Sequence, residues 1–101
     1  MIVYEVNLQV DNGIFEPFVT WLKAHIREMG DFDGFGEGTI ETAEEGNPGC
    51  TLLVVRYPVR DREALENYFH IGAPKMREDG LQRFPNQFSA TRRILKPLQA
   101  S

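Results

Sequence analysis

CTLLVVRYPV, residues 50–59, is the densest run of apolar and β-branched residues in this 101-residue chain. Asn47-Pro48-Gly49 makes a turn signal before it, and Asp61 after it has the character of a helix N-cap. An apolar run of this length between such punctuation reads as a central strand covered on both sides. Its odd positions, Thr51, Leu53, Val55, Tyr57 and Val59, form one apolar face, while the even face carries Leu52, Val54 and Arg56. Pro58 marks the end of the strand.

Working outward, residues 2–10 alternate almost without error. Ile2, Tyr4, Val6, Leu8 and Val10 share one face, and Val3, Glu5, Asn7 and Gln9 the other. Asp11 or Asn12 can cap the helix expected over residues 14–29, whose stripe is Phe15, Phe18, Leu22, His25 or Ile26, and Met29. Pro17 falls in the tolerant first turn and Gly30 at the C-cap. Gly34, Gly36 and Gly38 break the pattern and point to an irregular edge strand at residues 39–43, joined to 50–59 as a hairpin. They lack a following Lys-Ser/Thr and lead into no helix, so they do not form a phosphate loop.

Beyond the central strand, Leu65, Tyr68, Phe69 and Ile71 supply the stripe of a second helix. Gly72-Ala73-Pro74 interrupts it, with Pro74 opening a short third helix that Gly80 closes. A turn at Pro85-Asn86 leads to a last strand, Phe88 to Leu95, which Pro97 ends before a fraying tail. The order βαββαβ is the ferredoxin-like unit: one α+β domain over 1–101, a four-stranded antiparallel sheet with helices on one face.

Bulk composition sets the outer limits. The chain carries 42% hydrophobic and 26% charged residues, as an ordinary globular domain does. Its net charge of −4 argues against nucleic-acid binding, and the open sheet face offers no central aromatics on which RNA bases could stack. The charge is uneven: residues 1–59 hold ten acids against Lys23, Arg27 and Arg56, whereas 60–101 hold five acids against eight bases. That imbalance favours an anion near the C-terminal half. No stretch has the character of a leader or membrane span, and the single cysteine, Cys50, allows no intrachain disulfide; a cytoplasmic setting is the expectation. No His/Cys spacing suggests a metal site, and no cofactor is expected.

Residues 68–92 are more specific. Tyr68-Phe69, Ala73-Pro74-Lys75-Met76-Arg77, Gly80-Leu81, Arg83-Phe84, Phe88 and Arg92 follow a pattern that resembles a family of short bacterial proteins known only as a domain of unknown function. The strand Ile2-Val3-Tyr4-Glu5-Val6 and the helix around Trp21-Leu22 are similar too. The resemblance implies a ferredoxin-like fold of the dimeric α+β barrel kind, and no activity, cofactor or catalytic residue.

Two regions follow as candidates. On the open face lie Val3, Glu5, Asn7, Leu52, Val54, Arg56 and, from the last strand, Arg93. This face is the expected homodimer interface. Burying three aliphatic side chains gives roughly 2 kcal/mol each, while association costs on the order of 4–15 kcal/mol. The charged residues should therefore pair across the interface, or the edges and tail must contribute. The same alternation turns Arg92 inward, where a guanidinium needs an acid, helix carbonyls or an anionic ligand. With Arg77 and Trp21 it forms a candidate ligand site for a small anion, and His25 or Tyr57 could serve there as acid or base. The leading expectation is a homodimer with a binding or assembly role; the alternative is a cofactor-free enzyme acting on a small aromatic or anionic molecule in the helix–sheet cleft.

Overall fold

The computed structural model describes residues 1–45 and 47–98. Its elements are β1 (Ile2–Asp11), α1 (Phe15–Met29), β2 (Thr39–Thr42), β3 (Cys50–Val59), α2 (Arg62–Ile71), α3 (Ala73–Arg83) and β4 (Phe88–Leu95). The sheet order is β2-β3-β1-β4, antiparallel throughout. The fold is the expected α+β arrangement, and β3 spans the ten residues read as the central strand. The fraying expected of the tail lies beyond Leu98, outside the described residues.

Register explains the core. Tyr4 pairs with Tyr57 on one side and Ile94 on the other, and Leu8 with Leu53 and Ala90. Because side chains alternate, this aligns the apolar sets of three strands on one face. Against that face pack Phe18, Leu22, Ile26 and Met29 of α1 and Ala64, Leu65 and Tyr68 of α2. Each fully buried Leu, Phe or Met contributes roughly 1.5–3 kcal/mol. The molecule measures 41 × 35 × 18 Å. It is thin because, among the described residues, no element covers the second face of the sheet.

Local chemistry sets the element boundaries. Asp61 accepts a hydrogen bond from the Ala64 amide at 2.9 Å and starts α2 as expected. Asp11 caps a short 3-10 turn instead of the helix, accepting from the Gly13 amide at 2.9 Å. Pro58 does not end β3: the strand continues to Val59, and the Pro58 carbonyl accepts the Gly36 amide at 2.7 Å. The Gly-rich segment thus lies along the end of β3, with Gly34 at φ +82° and its α-carbon against Ala64, where a side chain would collide.

Two expectations for the second half are corrected. Ile71 is 78% exposed, because Phe32 fills the joint between α2 and α3, its ring against Gly72 and 5.0 Å from that of Tyr68. Gly80 does not close α3, which runs on to Arg83. It is buried because the Trp21 and Phe88 rings rest on it, leaving no room for a β-carbon.

Candidate functional site

The open sheet face holds a closed electrostatic cluster. Pairing sets Glu5 between Arg56 on β3 and Arg93 on β4. Arg93 Nε donates to Glu5 Oε1 at 2.5 Å, Arg56 Nε to Oε2 at 3.1 Å, and Asn7 Nδ2 to Oε1 at 3.0 Å. Arg56 also reaches Glu41 at 2.6 Å. The Glu5 side chain is 1% exposed, yet it lies under two arginine chains rather than in the apolar core. Hydrogen bonding from Arg93, then Asn7 and Arg56, outweighs desolvation and draws its pKa down to about 2. The residues expected to pair across an interface therefore pair within the chain. Val3, Leu52 and Val54 flank the cluster half-buried, and Leu95, which sequence reasoning missed, joins them opposite Val3.

Between sheet and helices lies a cavity of about 50 Å³. A water needs about 10–15 Å³ by this measure, so it holds a few waters. Its walls include Leu8, Trp21, Leu22, Met29 and Val55, and its polar edges are His25, Tyr57, Tyr68, Arg77 and Arg92. Tyr4, Arg77 and Arg92 also line an outer depression of about 260 Å³ with Phe69, Ile94 and, from the sheet edge, Arg93. The two arginines thus stand where the cavity meets its mouth.

Each polar group has a distinct state. Arg56, Arg60, Arg62, Arg83 and Arg93 are all engaged by carboxylates. Arg77 and Arg92, both exposed, have no carboxylate partner among the described residues, and neither does Arg27 on α1. Arg77 donates to the Tyr4 hydroxyl at 3.3 Å and lies 6.0 Å from the Phe69 ring centroid, both weak contacts for a guanidinium. Arg92 contacts neither helix carbonyls nor an acid among these residues. It lies on the helix side of β4, as alternation required, but is exposed rather than desolvated, while Arg93 points to the open face.

Tyr57 and Tyr68 are only 2% and 4% exposed, and neither hydroxyl has a hydrogen-bond partner among the described residues. No fully enclosed side-chain polar atom is left unpaired there, so both hydroxyls open onto the cavity they line. Burial pushes the Tyr57 phenol well up and that of Tyr68 to about 12, so both act as neutral hydrogen-bonding groups. Burial lowers the pKa of His25, with Glu28 and Asp79 opposing and Arg92 reinforcing that shift. Trp21 is a wall rather than a donor: its Nε1–H goes to Asp79 Oδ2 at 2.9 Å, and its ring lies 4.8 Å from that of His25.

A larger groove of about 570 Å³ runs between α1 and the segment before β2. It is an open surface carrying Lys23, Arg27, Asp31 and Glu37, charges of both signs, and gathers no comparable set of buried polar groups. His70 is exposed on α2, away from the cavity. Among the described residues no cluster of His, Cys, Asp and Glu could hold a metal ion, and no helix is long and apolar enough to cross a membrane.

The fold has several solved counterparts. SnoaB, a cofactor-independent oxygenase from Streptomyces nogalater, matches in a mutant form with a TM-score of 0.68 and 13% identity, covering 98% of this chain and 95% of that one. The protein At3g17210 of Arabidopsis thaliana matches with a TM-score of 0.70 and 14% identity, covering 98% of each chain. The de novo designed protein Foldit4 gives 0.64 and 13%, covering 96% and 98%. At such identities the likeness establishes the fold, and a fold that includes a designed protein carries no activity with it. No curated protein matches the sequence. One family model matches residues 1–98; its description is Domain of unknown function (DUF4286).

Proposed function

The chain belongs to the DUF4286 family, and for this member we propose a homodimeric binding protein that takes a small organic anion into its helix–sheet cleft. One observation carries the reading: Arg77 and Arg92 stand without a carboxylate at the mouth of a cavity walled by aromatic and aliphatic side chains. In a chain where acids outnumber bases by fifteen to eleven, two such arginines at one mouth favour an anionic ligand. The outer depression beside Phe69 and Ile94 accepts the apolar body of the ligand and the guanidiniums its charge.

The second copy belongs on the open sheet face. Its charges are already paired within the chain, so covering them leaves no lone charge buried. Val3, Leu52, Val54 and Leu95 supply the apolar contact. The cleft lies on the opposite side of the sheet and stays accessible in that assembly. With one unpaired cysteine, the setting proposed is the cytoplasm.

Thermal unfolding with benzoate and phenylacetate, each beside its neutral alcohol, tests the binding. A ligand at tenfold its Kd adds about 1.4 kcal/mol, a shift of several degrees for a domain of this size. The acids should raise the midpoint, the alcohols should not, and Arg92→Gln should abolish the effect. Equal midpoints with and without every acid would refute the site.

A second reading, cofactor-free chemistry on the bound molecule, is favoured by His25. Its imidazole is half-buried at the cavity wall and held neutral by burial, the state a general base requires. Conversion of a bound acid by the wild type that persists unchanged in His25→Gln would exclude that role.

A further inference from the structure

We infer that the anion taken at the arginine mouth is a dianion, a phosphate monoester, with its phosphoryl group between Arg77 and Arg92 and its ester group on Phe69 and Ile94. The inference rests on the anion-site reading and adds to it the charge of the ligand's head.

The outer depression of about 260 Å³ differs from its neighbours in charge. Its lining holds three arginines, Arg77, Arg92 and Arg93, and no acid. Three other surface depressions all carry acids: Asp31 and Glu37 beside α1, Glu28 and Asp79 between α1 and α3, and Glu28, Glu78 and Asp79 along α3. The acids that follow Arg77 on α3 are engaged elsewhere. Asp79 accepts from the Trp21 indole at 2.9 Å and from Arg83 at 3.3 Å, and Glu78 from Gln82 at 3.1 Å. At the sheet edge Arg93 is balanced by Glu5, and Arg56 by Glu5 and Glu41, so that cluster of two acids and two bases is neutral. The charge left at the depression is that of Arg77 and Arg92, two units in all. Both guanidiniums favour ionisation of the Tyr68 phenol against the effect of burial, which places them near the same ring.

A carboxylate brings one charge to these two cations. A phosphate monoester brings close to two at neutral pH, on three terminal oxygens that guanidinium forks can reach from different sides. Because both arginines are exposed, the dianion need not be fully desolvated to meet them. The half-buried Phe69 ring and Ile94 supply an apolar patch beside the cations, which favours an ester over the free inorganic ion. A ligand seated in this way occupies the outer depression alone.

Isothermal titration of the full chain tests this with phenyl phosphate, its monoanionic ester methyl phenyl phosphate, benzoate and inorganic phosphate. The pH is set well above the second phosphate pKa of about 6, and salt at about 0.15 M screens diffuse attraction. Phenyl phosphate should bind about tenfold tighter than methyl phenyl phosphate or benzoate, the worth of a second charge paired at a solvated surface. It should also bind tighter than inorganic phosphate. Arg77→Gln and Arg92→Gln should each bring phenyl phosphate down to the affinity of its methyl ester. Arg62→Gln, which removes a surface charge paired with Glu66, should leave the ratio unchanged. All three arginines are exposed, so the variants report on binding rather than folding. Equal affinity of phenyl phosphate and its methyl ester would overturn the inference and leave the single-anion site standing. Inorganic phosphate binding as tightly as phenyl phosphate would overturn the ester. A ratio lowered as much by Arg62→Gln as by Arg92→Gln would show a diffuse field in place of a site. Absence of binding by all four probes, benzoate included, would overturn both readings.

Discussion

Glu5 is the residue on which the sheet's open face turns. Its folded pKa of about 2 lies below the ordinary 4.5. The stability it contributes is therefore complete above about pH 4.5 and is lost as the pH falls through 2. Glu5→Gln leaves Arg56 and Arg93 without their shared carboxylate. With both arginines partly solvated, the expected loss is about 1–3 kcal/mol at pH 7, read from the urea midpoint. The variant should also show a flatter stability profile below pH 4.5, and an unchanged midpoint would show that the cluster contributes nothing. His25 acts in a separate window. Its pKa is lowered by burial, with Arg92 of β4 reinforcing the shift and Glu28 of α1 and Asp79 of α3 opposing it. The unfolded chain takes up the proton first, so stability present above about pH 6.5 declines as the pH drops below it. His25→Phe should remove that decline below pH 6.5. A decline of unchanged slope would place its origin elsewhere.

Among the elements, β3 was legible because strands announce themselves by alternation: the odd face of residues 50–59 is the buried one from Leu53 to Val59. That same alternation separated Arg92 from Arg93. What alternation cannot reveal is company. The burial of Glu5 depends on arginines 51 and 88 positions away, and the open state of Arg77 and Arg92 depends on which acids the fold puts elsewhere. Glycine was the other ambiguity. Gly80 carries the signature of a helix end, but it serves as the flat spot on which Trp21 and Phe88 rest. Since a β-carbon there would come within 2.8 Å of the Trp21 ring, Gly80→Ala should destabilise the protein by about 1–3 kcal/mol despite alanine's better helix propensity. A gain in thermal midpoint would mean that Trp21 yields easily. Ile71 failed for a similar reason: the stripe predicts the face of a helix, and the break at Gly72 gave the expected contact to Phe32.

For the whole molecule, the sheet divides two roles. Its open face has its charges closed among themselves and aliphatic residues around them, which suits a second copy. Light scattering at micromolar concentration should give the mass of two chains, and the mass of one would refute the dimer. Its covered face holds the cleft, and the account depends on the two arginines there. The most direct measurement follows the guanidinium Nε–H signals of all eight arginines by NMR as benzoate is added. Saturable shifts are expected at Arg77 and Arg92, with Arg60 and Arg62, already engaged by acids on the surface, unmoved. Shifts spread evenly over the arginines, or none at Arg77 and Arg92, would contradict it.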